Sequence, residues 1–269
     1  MPELPEVETV KNELTPFVVG RQVTDVVLFW DKILRKPGLK EFRNRLIGQH
    51  IEGLERRGKY LFFRLGSGEY LVLHLKMSGS LLLNNPDGRF VRAVLQFDGM
   101  KVYFRDPRKF GRIWLVAEMD ELAKALGPEP LEDGFTAEVL AVRLRGRQAP
   151  IKAVFLDQKV VAGIGNMYAD EILFAARIHP LRPAASLRRE EIERIHAAIK
   201  QVLGAAIGNK GASVREYFRP GGELGTAHFE FKVAHQGGKV CPGCGSRVER
   251  ITVRNRGTYY CPRCQPLEP

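Results

Sequence analysis

Four cysteines stand in two Cys-x2-Cys pairs near the end of the 269-residue sequence, Cys241-Pro-Gly-Cys244 and Cys261-Pro-Arg-Cys264. Each pair can turn two thiolates toward one point, and four thiolates are a ligand set that a tetrahedral structural zinc prefers. Such an ion keeps no open position for chemistry, so we expect one structural Zn²⁺. Two disulfides and four free thiols are the alternatives. The local clustering favours a metal site in a reducing cytoplasm over a disulfide-bonded fold.

The segment between the two pairs, residues 247–260, has its apolar residues at Val248, Ile251, Val253 and Tyr259. This pattern predicts a β-hairpin with Asn255-Arg256-Gly257 near its basic tip. A zinc ion bound by the flanking cysteines would hold the hairpin rigid.

The chain is strongly basic, with 42 Lys and Arg against 31 Asp and Glu and a formal net charge of +11. This balance favours a polyanionic partner, usually nucleic acid, although ribosomal and membrane-surface proteins share it. A hydrophobic content of 44% excludes wholesale disorder. No apolar run reaches the length of a membrane span, and the acidic start has no apolar signal core. We therefore expect a cytoplasmic protein with no membrane partner.

The pattern of apolar residues changes along the chain and predicts an α+β protein. Helical spacing from Pro5 to about Val19 predicts a first helix, which Gly20 ends. Short β-rich runs separated by turn residues, including those at 84–88, predict an antiparallel sandwich or barrel behind that helix. The predicted strands include 23–30, 60–65, 70–75, 91–97 and 101–104. Beyond Met119 the predicted elements are helices, at 120–125, 137–144, 151–156, 167–176, 189–207 and 213–217, which places a domain boundary near 120–135.

The sequence begins with Pro2-Glu3-Leu4-Pro5-Glu6 after the initiator methionine. If Met1 is removed, Pro2 carries a free secondary amine, and α-amino groups have a pKa of about 8. Such an amine can attack an electrophilic sugar carbon and form an iminium, while Glu3 or Glu6 can supply a proton. The alternative is an ordinary helix start, because proline and negative charge both suit a first turn.

Several motifs in one order give the chain a resemblance to the formamidopyrimidine-DNA glycosylase family (Fpg or MutM), which are bifunctional enzymes of base excision repair. The motifs are Met1-Pro-Glu-Leu-Pro-Glu-Val-Glu-Thr9, Arg56-Arg-Gly-Lys-Tyr60, His74-Leu-Lys-Met-Ser-Gly-Ser80, Asp106-Pro-Arg-Lys-Phe-Gly111, Leu126-Gly-Pro-Glu-Pro130, Asp157-Gln-Lys-Val-Val-Ala-Gly-Ile-Gly-Asn-Met-Tyr-Ala-Asp-Glu171 and the cysteine hairpin with Arg256-Gly-Thr258. The resemblance covers nearly the whole chain.

The resemblance implies a fold and three domains. These are a catalytic N-terminal helix and β-sandwich at residues 1–125, a helix-two-turn-helix DNA-binding domain at 126–232, and a zinc finger at 233–269. It also implies a monomeric bacterial enzyme, cytoplasmic and associated with the nucleoid, that binds damaged double-stranded DNA. The implied activity is excision of oxidised purines such as 8-oxoguanine and formamidopyrimidines, followed by β,δ-elimination at the abasic site.

The resemblance also assigns roles to individual residues. Pro2 is the implied nucleophile, Glu3 the general acid and Glu6 a supporting group. The side chains implied to fill the gap left by the everted base are Met77, Arg108 and Phe110. The residues implied to contact phosphates are Lys59, His74, Lys152, Asn166 and Arg256, with Lys59 and Arg256 placed in the catalytic set. The implied metal ligands are Cys241, Cys244, Cys261 and Cys264. For His74, a buried and hydrogen-bonded strand histidine is the competing interpretation.

The sequence departs from the family pattern at several places outside these residues. A His-x-His pair is usual where Arg89-Phe-Val-Arg92 stands, and Arg92 could replace a phosphate contact. Gly-Gly is usual at Gly211-Ala212, and Val-Tyr-Gly-Arg at Val233-Ala-His-Gln236. Residues 216–225 correspond in length to the loop that caps the everted base, but Arg219-Pro-Gly-Gly222 differs from the family's sequence there.

Two other functions remain open at this point. An endonuclease-VIII-like relative would act on oxidised pyrimidines, although the start of the chain and the gap-filling trio favour the purine branch. A zinc-ribbon protein that only recognises damage would bind DNA without forming a covalent adduct.

Overall fold

A computed structural model describes residues 1–83, 88–214 and 216–267. The chain forms two compact units. One contains Met1–Ala125 and Asn209–His228, and the other contains Leu126–Gly208 and Phe229–Pro269. Most of the predicted turn at 84–88 lies outside the described residues. The division into domains at 1–125, 126–232 and 233–269 stays a prediction.

Helix α1 (Leu4–Val18) opens the first unit, close to its predicted bounds. Pro5 suits the first turn because N–H groups of that turn have no partner within the helix, so the N–H that proline lacks is not missed. Residues three or four apart are buried along one face, among them Leu4, Val7 and Val10. Gly20, with φ +83°, follows the end of the helix.

Two sheets form the predicted β-sandwich of the first unit. The strands are β1 (Val23–Leu28), β2 (Leu34–Lys36), β3 (Ile51–Arg57), β4 (Tyr60–Leu65), β5 (Tyr70–His74), β6 (Ser80–Leu82), β7 (Val91–Phe97), β8 (Met100–Arg105) and β9 (Arg112–Val116). The four-stranded sheet has the order β1-β7-β8-β6 and is antiparallel. The five-stranded sheet has the order β2-β9-β5-β4-β3 and is antiparallel except for the parallel pair of β2 and β9. Both sheets and α1 contribute to one apolar core. Two short helices accompany them, α2 (Leu39–Leu46) and α3 (Asp120–Ala123).

The second unit is helical and ends in a two-stranded hairpin, as predicted. Its helices are α4 (Ala137–Leu144), α5 (Ile151–Phe155), α6 (Asn166–Ala175) and α7 (Arg189–Gly208). Thr136 caps α4 by accepting a hydrogen bond from the Val139 N–H at 3.3 Å. Strands β10 (Glu249–Val253) and β11 (Arg256–Tyr260) pair antiparallel, with Val253 opposite Arg256. Arg254 and Asn255 connect them, both with positive φ, as a tight two-residue hairpin turn requires. Short 3₁₀ segments occupy Asp31–Ile33, Ala184–Ser186 and Ala227–Glu230.

The helix predicted at 213–217 is wrong for the residues described there, which form no helix. Hydrogen bonds of the Ser213 side chain replace the helical ones. The Ser213 hydroxyl donates to the Tyr217 carbonyl at 2.8 Å and accepts from the Gly225 N–H at 2.9 Å. Tyr217 itself is buried in the core of the first unit. Among the described residues, no helix has both the length and the apolar character to cross a bilayer.

Candidate functional site

The start of α1 holds a buried acidic cluster. Glu3 and Glu6 are 1% and 0% exposed, and Pro2 immediately before them is buried as well. One carboxylate oxygen of Glu6 accepts a hydrogen bond from the Glu3 N–H at 2.7 Å, which is one half of a capping box. Its other oxygen accepts from the Ala212 N–H, also at 2.7 Å. Glu6 therefore braces the first residues of the chain against the segment that begins at Asn209.

Glycine at position 211 is required by the approach of Glu6. Its φ is +75°, and a Cβ atom there would lie 2.9 Å from the Glu6 Cγ atom. At the next position the contact to Glu6 comes from the main chain of Ala212. An alanine in place of the family's usual glycine therefore leaves the hydrogen bond intact.

Lys59 and His74 lie close together in the five-stranded sheet. Lys59 is 7% exposed and precedes β4, in which Tyr60 pairs with His74 of β5. The His74 Nδ1 atom accepts a hydrogen bond from the Lys76 N–H at 2.9 Å, and its ring packs edge-on against Tyr60. Burial lowers the pKa of His74 well below its usual value, and the charges of Lys76 and Lys59 lower it further. The imidazole is therefore neutral at pH 7, with its proton on Nε2.

The predicted gap-filling side chains occupy two loops, one after β5 and one after β8. Met77 is half-buried, whereas Arg108 is exposed and Phe110 is 42% exposed. The Arg108 guanidinium lies 5.2 Å from the centre of the Phe110 ring, a cation–π distance. The Ser78 hydroxyl, next to Met77, donates to the Asp106 carboxylate of the second loop at 2.5 Å. The structure thus joins the loops that carry the trio.

In the second unit, a tight turn leads into α6. The Gln158 side chain closes this turn by accepting from the Gly163 N–H at 3.0 Å and donating to the Ile164 carbonyl at 2.8 Å. Asn166 begins the helix, and its side-chain amide donates to the Gly257 carbonyl of β11 at 2.9 Å. The turn is thereby tied to the hairpin, where Arg256 is exposed beside the connection of the two strands.

Lys152 does not lie where a phosphate could reach it. Its side chain is 0% exposed, and its Nζ atom donates to the Asn166 carbonyl at 2.7 Å and to the Asp170 carboxylate at 2.5 Å. Burial raises the pKa of Asp170 to about 7, and Lys152 opposes that rise. The resemblance to the family implied a phosphate contact for Lys152. The structure instead gives Lys152 a buried partner and a place beside the turn that leads into α6.

The four cysteines form the predicted cluster. Their sulfur atoms all lie within 4.8 Å of one another. The Cys241–Cys264 and Cys244–Cys261 sulfur distances are 3.8 and 3.4 Å, which exceed a disulfide bond of about 2.05 Å. Tetrahedral ligation with zinc–sulfur bonds of about 2.3 Å requires sulfur separations of about 3.8 Å. The cluster therefore fits a structural metal ion.

Sequence reasoning gave no individual role to four residues that organise these sites: Ser78, Asp106, Gln158 and Glu171. All four lie inside the motifs that carry the family resemblance, and that position is the one sequence feature that could have indicated their importance. Glu171 is buried, and its carboxylate accepts the main-chain N–H groups of Lys232, Val233 and Ala234 at 2.7 to 3.0 Å. At the first two residues of the departure at 233–236, the donors to Glu171 are main-chain N–H groups. These hydrogen bonds do not depend on which side chain is present.

Comparison with known proteins finds matches along nearly the whole chain. Family models match residues 1–113 (formamidopyrimidine-DNA glycosylase N-terminal domain), 126–217 (the helix-two-turn-helix domain of that family) and 238–267 (a zinc finger found in Fpg and isoleucyl-tRNA synthetase). The formamidopyrimidine-DNA glycosylase of Chloroflexus aurantiacus is 46% identical over 272 residues, covering 98% of both chains.

Solved structures agree. The MutM (Fpg) protein of Thermus thermophilus is 40% identical and superposes with a TM-score of 0.91 over 100% of both chains. Lactococcus lactis Fpg in complex with DNA containing an abasic site is 34% identical, with a TM-score of 0.92 over 98% of this chain and 100% of that one. From its three matched domains and these full-length relatives, the chain belongs to the formamidopyrimidine-DNA glycosylase family.

Proposed function

We propose that this protein is a DNA glycosylase with an associated lyase activity, which removes oxidised purines such as 8-oxoguanine and formamidopyrimidines from duplex DNA. The observation that carries the proposal is the buried cluster at the start of α1, where Pro2 directly precedes Glu3 and the braced Glu6. A related structure, a variant of Lactococcus lactis Fpg bound to Fapy-dG containing DNA, is 34% identical and supports this substrate class.

The nucleophile in this proposal is the nitrogen of Pro2 once Met1 has been removed. With Met1 present the nitrogen belongs to a peptide bond, and removal converts it to a secondary amine. The lone pair of that amine attacks C1′ of the damaged nucleotide, and the bond from C1′ to the base breaks with its electrons leaving on the base. Proton donation by Glu3 assists the departure or the opening of the sugar ring.

The nitrogen first loses its proton, and its lone pair then opens the ring by breaking the bond between C1′ and O4′. O4′ takes a proton, and Pro2 is left joined to C1′ as an iminium. The iminium acidifies the C2′ protons, and loss of one expels the 3′ phosphate by β-elimination. A second deprotonation expels the 5′ phosphate by δ-elimination. Water then releases the enzyme, and a one-nucleotide gap remains.

DNA binding in this proposal uses groups of both units. Lys59 and the Nε2–H of neutral His74 are donors for phosphates beside the lesion, and Arg256 supplies a charge at the hairpin tip. The N-terminus of α6 at Asn166 offers main-chain N–H groups to a further phosphate. Met77, Arg108 and Phe110 fill the space left by the everted base, which costs a few kcal/mol to remove from the stack.

The cysteines hold one structural Zn²⁺ that keeps the hairpin rigid. We further propose that the enzyme acts as a monomer in the bacterial cytoplasm, at the nucleoid.

Borohydride trapping on a duplex with a single 8-oxoguanine tests the chemistry. We expect a covalent protein–DNA adduct, and mass spectrometry of its peptides should locate the sugar on Pro2. Pro2→Gly, or a protein that retains Met1, should trap poorly while still binding DNA. A sugar found on any other side chain would refute this mechanism, and the absence of an adduct would favour a protein that only recognises damage.

A base-release assay tests the lesion class separately. We expect faster excision of 8-oxoguanine and formamidopyrimidines than of thymine glycol under single-turnover conditions. A preference for thymine glycol would place the activity with the oxidised pyrimidines instead.

A further inference from the structure

Asp106 is a buried hub of the loop that carries Arg108 and Phe110. It is 0% exposed and directly follows β8. One of its carboxylate oxygens accepts from the Ser78 hydroxyl at 2.5 Å and from the Arg108 N–H at 3.2 Å. The other accepts from the Gly111 N–H at 2.7 Å. A single carboxylate thus fixes both ends of its own loop and reaches the loop that carries Met77.

Strand β7 holds the same loop from another side. The Arg92 side chain donates from Nε to the Asp106 carbonyl at 2.8 Å, and the Asp106 N–H donates to the Phe90 carbonyl at 2.9 Å. Arg92 lies at the place where the sequence departs from the family pattern. Its guanidinium supports the loop main chain, a different role from the phosphate contact considered for it above.

Two glycines leave the loops little freedom to move. A Cβ atom at Gly79 would lie 2.8 Å from the ring of Phe104 in β8, and one at Gly111 would lie 2.6 Å from the same ring. Both loops are therefore packed tightly on the sandwich at the ends nearest the clamp. The exposed side chains between these points depend on the loop backbone for their position.

We propose that Ser78, Arg92 and Asp106 are positioning residues, a clamp that sets Met77 and the Arg108–Phe110 pair in one fixed arrangement before DNA binds. The inference rests on the proposed base-excision function, because it assigns the clamp to the step in which the everted base is replaced. Because Met77, Arg108 and Phe110 are already held in place, no free energy is spent on ordering them when the base is everted. The clamp should therefore speed excision from paired DNA.

Ser78→Ala is the sharpest variant, since it removes the side-chain link between the two loops and leaves the other bonds of Asp106 in place. Ser67→Ala, at an exposed turn of the same unit, is the matched control. Single-turnover excision is measured on duplexes with 8-oxoguanine opposite cytosine or adenine. Borohydride trapping on a single-stranded oligonucleotide with a preformed abasic site is measured in parallel, because that substrate has no partner base and no gap to fill.

We expect Ser78→Ala to slow duplex excision about tenfold and to reduce the cytosine-to-adenine preference, with single-strand trapping close to that of the wild type. Ser67→Ala should match the wild type in all three measurements. Unchanged duplex excision and preference would overturn the clamp, as would an equal loss on both substrates, which indicates general structural damage. Failure of the wild-type protein to excise the base at all would instead refute the proposed function.

Arg92 provides a second route if Ser78→Ala does not fold. Arg92→Met keeps length without a donor, whereas Arg92→Lys keeps a donor for the Asp106 carbonyl. We expect Met to reproduce the selective loss of duplex excision and Lys to restore most of the rate. Equal rates for Met and the wild type would overturn the role of Arg92.

Discussion

At the scale of single residues, two buried carboxylates bind the main chain at places where the sequence departs from the family pattern. Glu6 accepts from the main chain of Ala212, and Glu171 accepts from the main chain of residues 232–234. Any residue except proline supplies such an N–H. These hydrogen bonds therefore need the carboxylate but do not depend on which side chain follows the donating N–H.

The contact between Gly211 and Glu6 leads to a first prediction. Gly211→Ala forces a Cβ atom against Glu6 at a positive φ, so we expect a loss of about 2 kcal/mol of unfolding free energy and weaker borohydride trapping. Ala212→Gly keeps the N–H donor and should change the unfolding free energy by no more than about 1 kcal/mol, with trapping retained. Urea unfolding of both variants measures the difference. Equal behaviour of the two would contradict the packing argument.

His74 predicts a pH effect on stability. The pKa of His74 is lowered in the folded state, so the unfolded chain binds more protons in mild acid. Stability should therefore fall as the pH drops below about 6.5, the unfolded value. His74→Gln should remove up to about 1.4 kcal/mol of that fall per pH unit in urea unfolding between pH 7 and 5. Exposed His50→Gln is the control, and an unaltered pH dependence in His74→Gln would show that His74 titrates normally.

At the scale of secondary-structure elements, apolar periodicity predicted most of the framework. Strand β4 and helix α4 have their predicted bounds, because each combines a regular apolar face with clear end signals. Helix α2 was missed, since its eight residues bury only Phe42 and Leu46 among charged neighbours. The error at 213–217 has another cause: distant partners of Ser213 and Tyr217 decide that backbone, and local propensity does not contain them.

The candidate site was predictable to the extent that it resides in motifs. The motifs identified the N-terminal cluster, the cysteines, and the loops that carry Met77, Arg108 and Phe110. It did not show that Lys152 is enclosed by α5 and α6, because burial depends on how two helices pack. Nor did it show that Arg92 supports a loop main chain.

The buried pair between α5 and α6 gives a prediction that separates stability from DNA binding. Lys152→Met leaves Asp170 buried without its cation, and we expect a loss of about 3–5 kcal/mol in unfolding free energy. The double variant with Asp170→Leu should recover much of that loss. The slope of log affinity against log salt, measured for the double variant on duplex DNA, should equal that of the wild type. A slope smaller by about 1 would instead identify Lys152 as a phosphate contact.

The cysteine cluster predicts that hairpin order depends on metal. Cys244→Ser removes one of four ligands, so zinc content should fall and DNA binding should weaken as β10 and β11 lose their anchor. Metal analysis and fluorescence anisotropy with duplex DNA measure the two effects. Thr252→Ser, an exposed change within β10, is the control. Full binding by a zinc-free variant would rule out a metal-held hairpin.

At the scale of the whole molecule, a net charge of +11 predicts that the affinity for DNA falls as the ionic strength rises. Each phosphate contact releases condensed counterions, so affinity should fall linearly on a logarithmic salt scale. Arg256→Ala should lower that slope by about 1, whereas Arg256→Lys should preserve it because the charge remains. Equal slopes for Ala and Lys would exclude Arg256 as a phosphate contact.

The path of the chain between its two compact units restricts how such proteins can be recombined. Residues 209–228 follow α7 but belong with the N-terminal unit, where Ala212 and Tyr217 both contact Glu6. A fragment cut after Ala125 would lack those contacts, and a chimaera joined there would pair Glu6 with a foreign segment. Exchange of the N-terminal unit between homologues therefore needs three crossovers, at 125/126, 208/209 and 228/229, with residues 209–228 inherited from the same parent as α1.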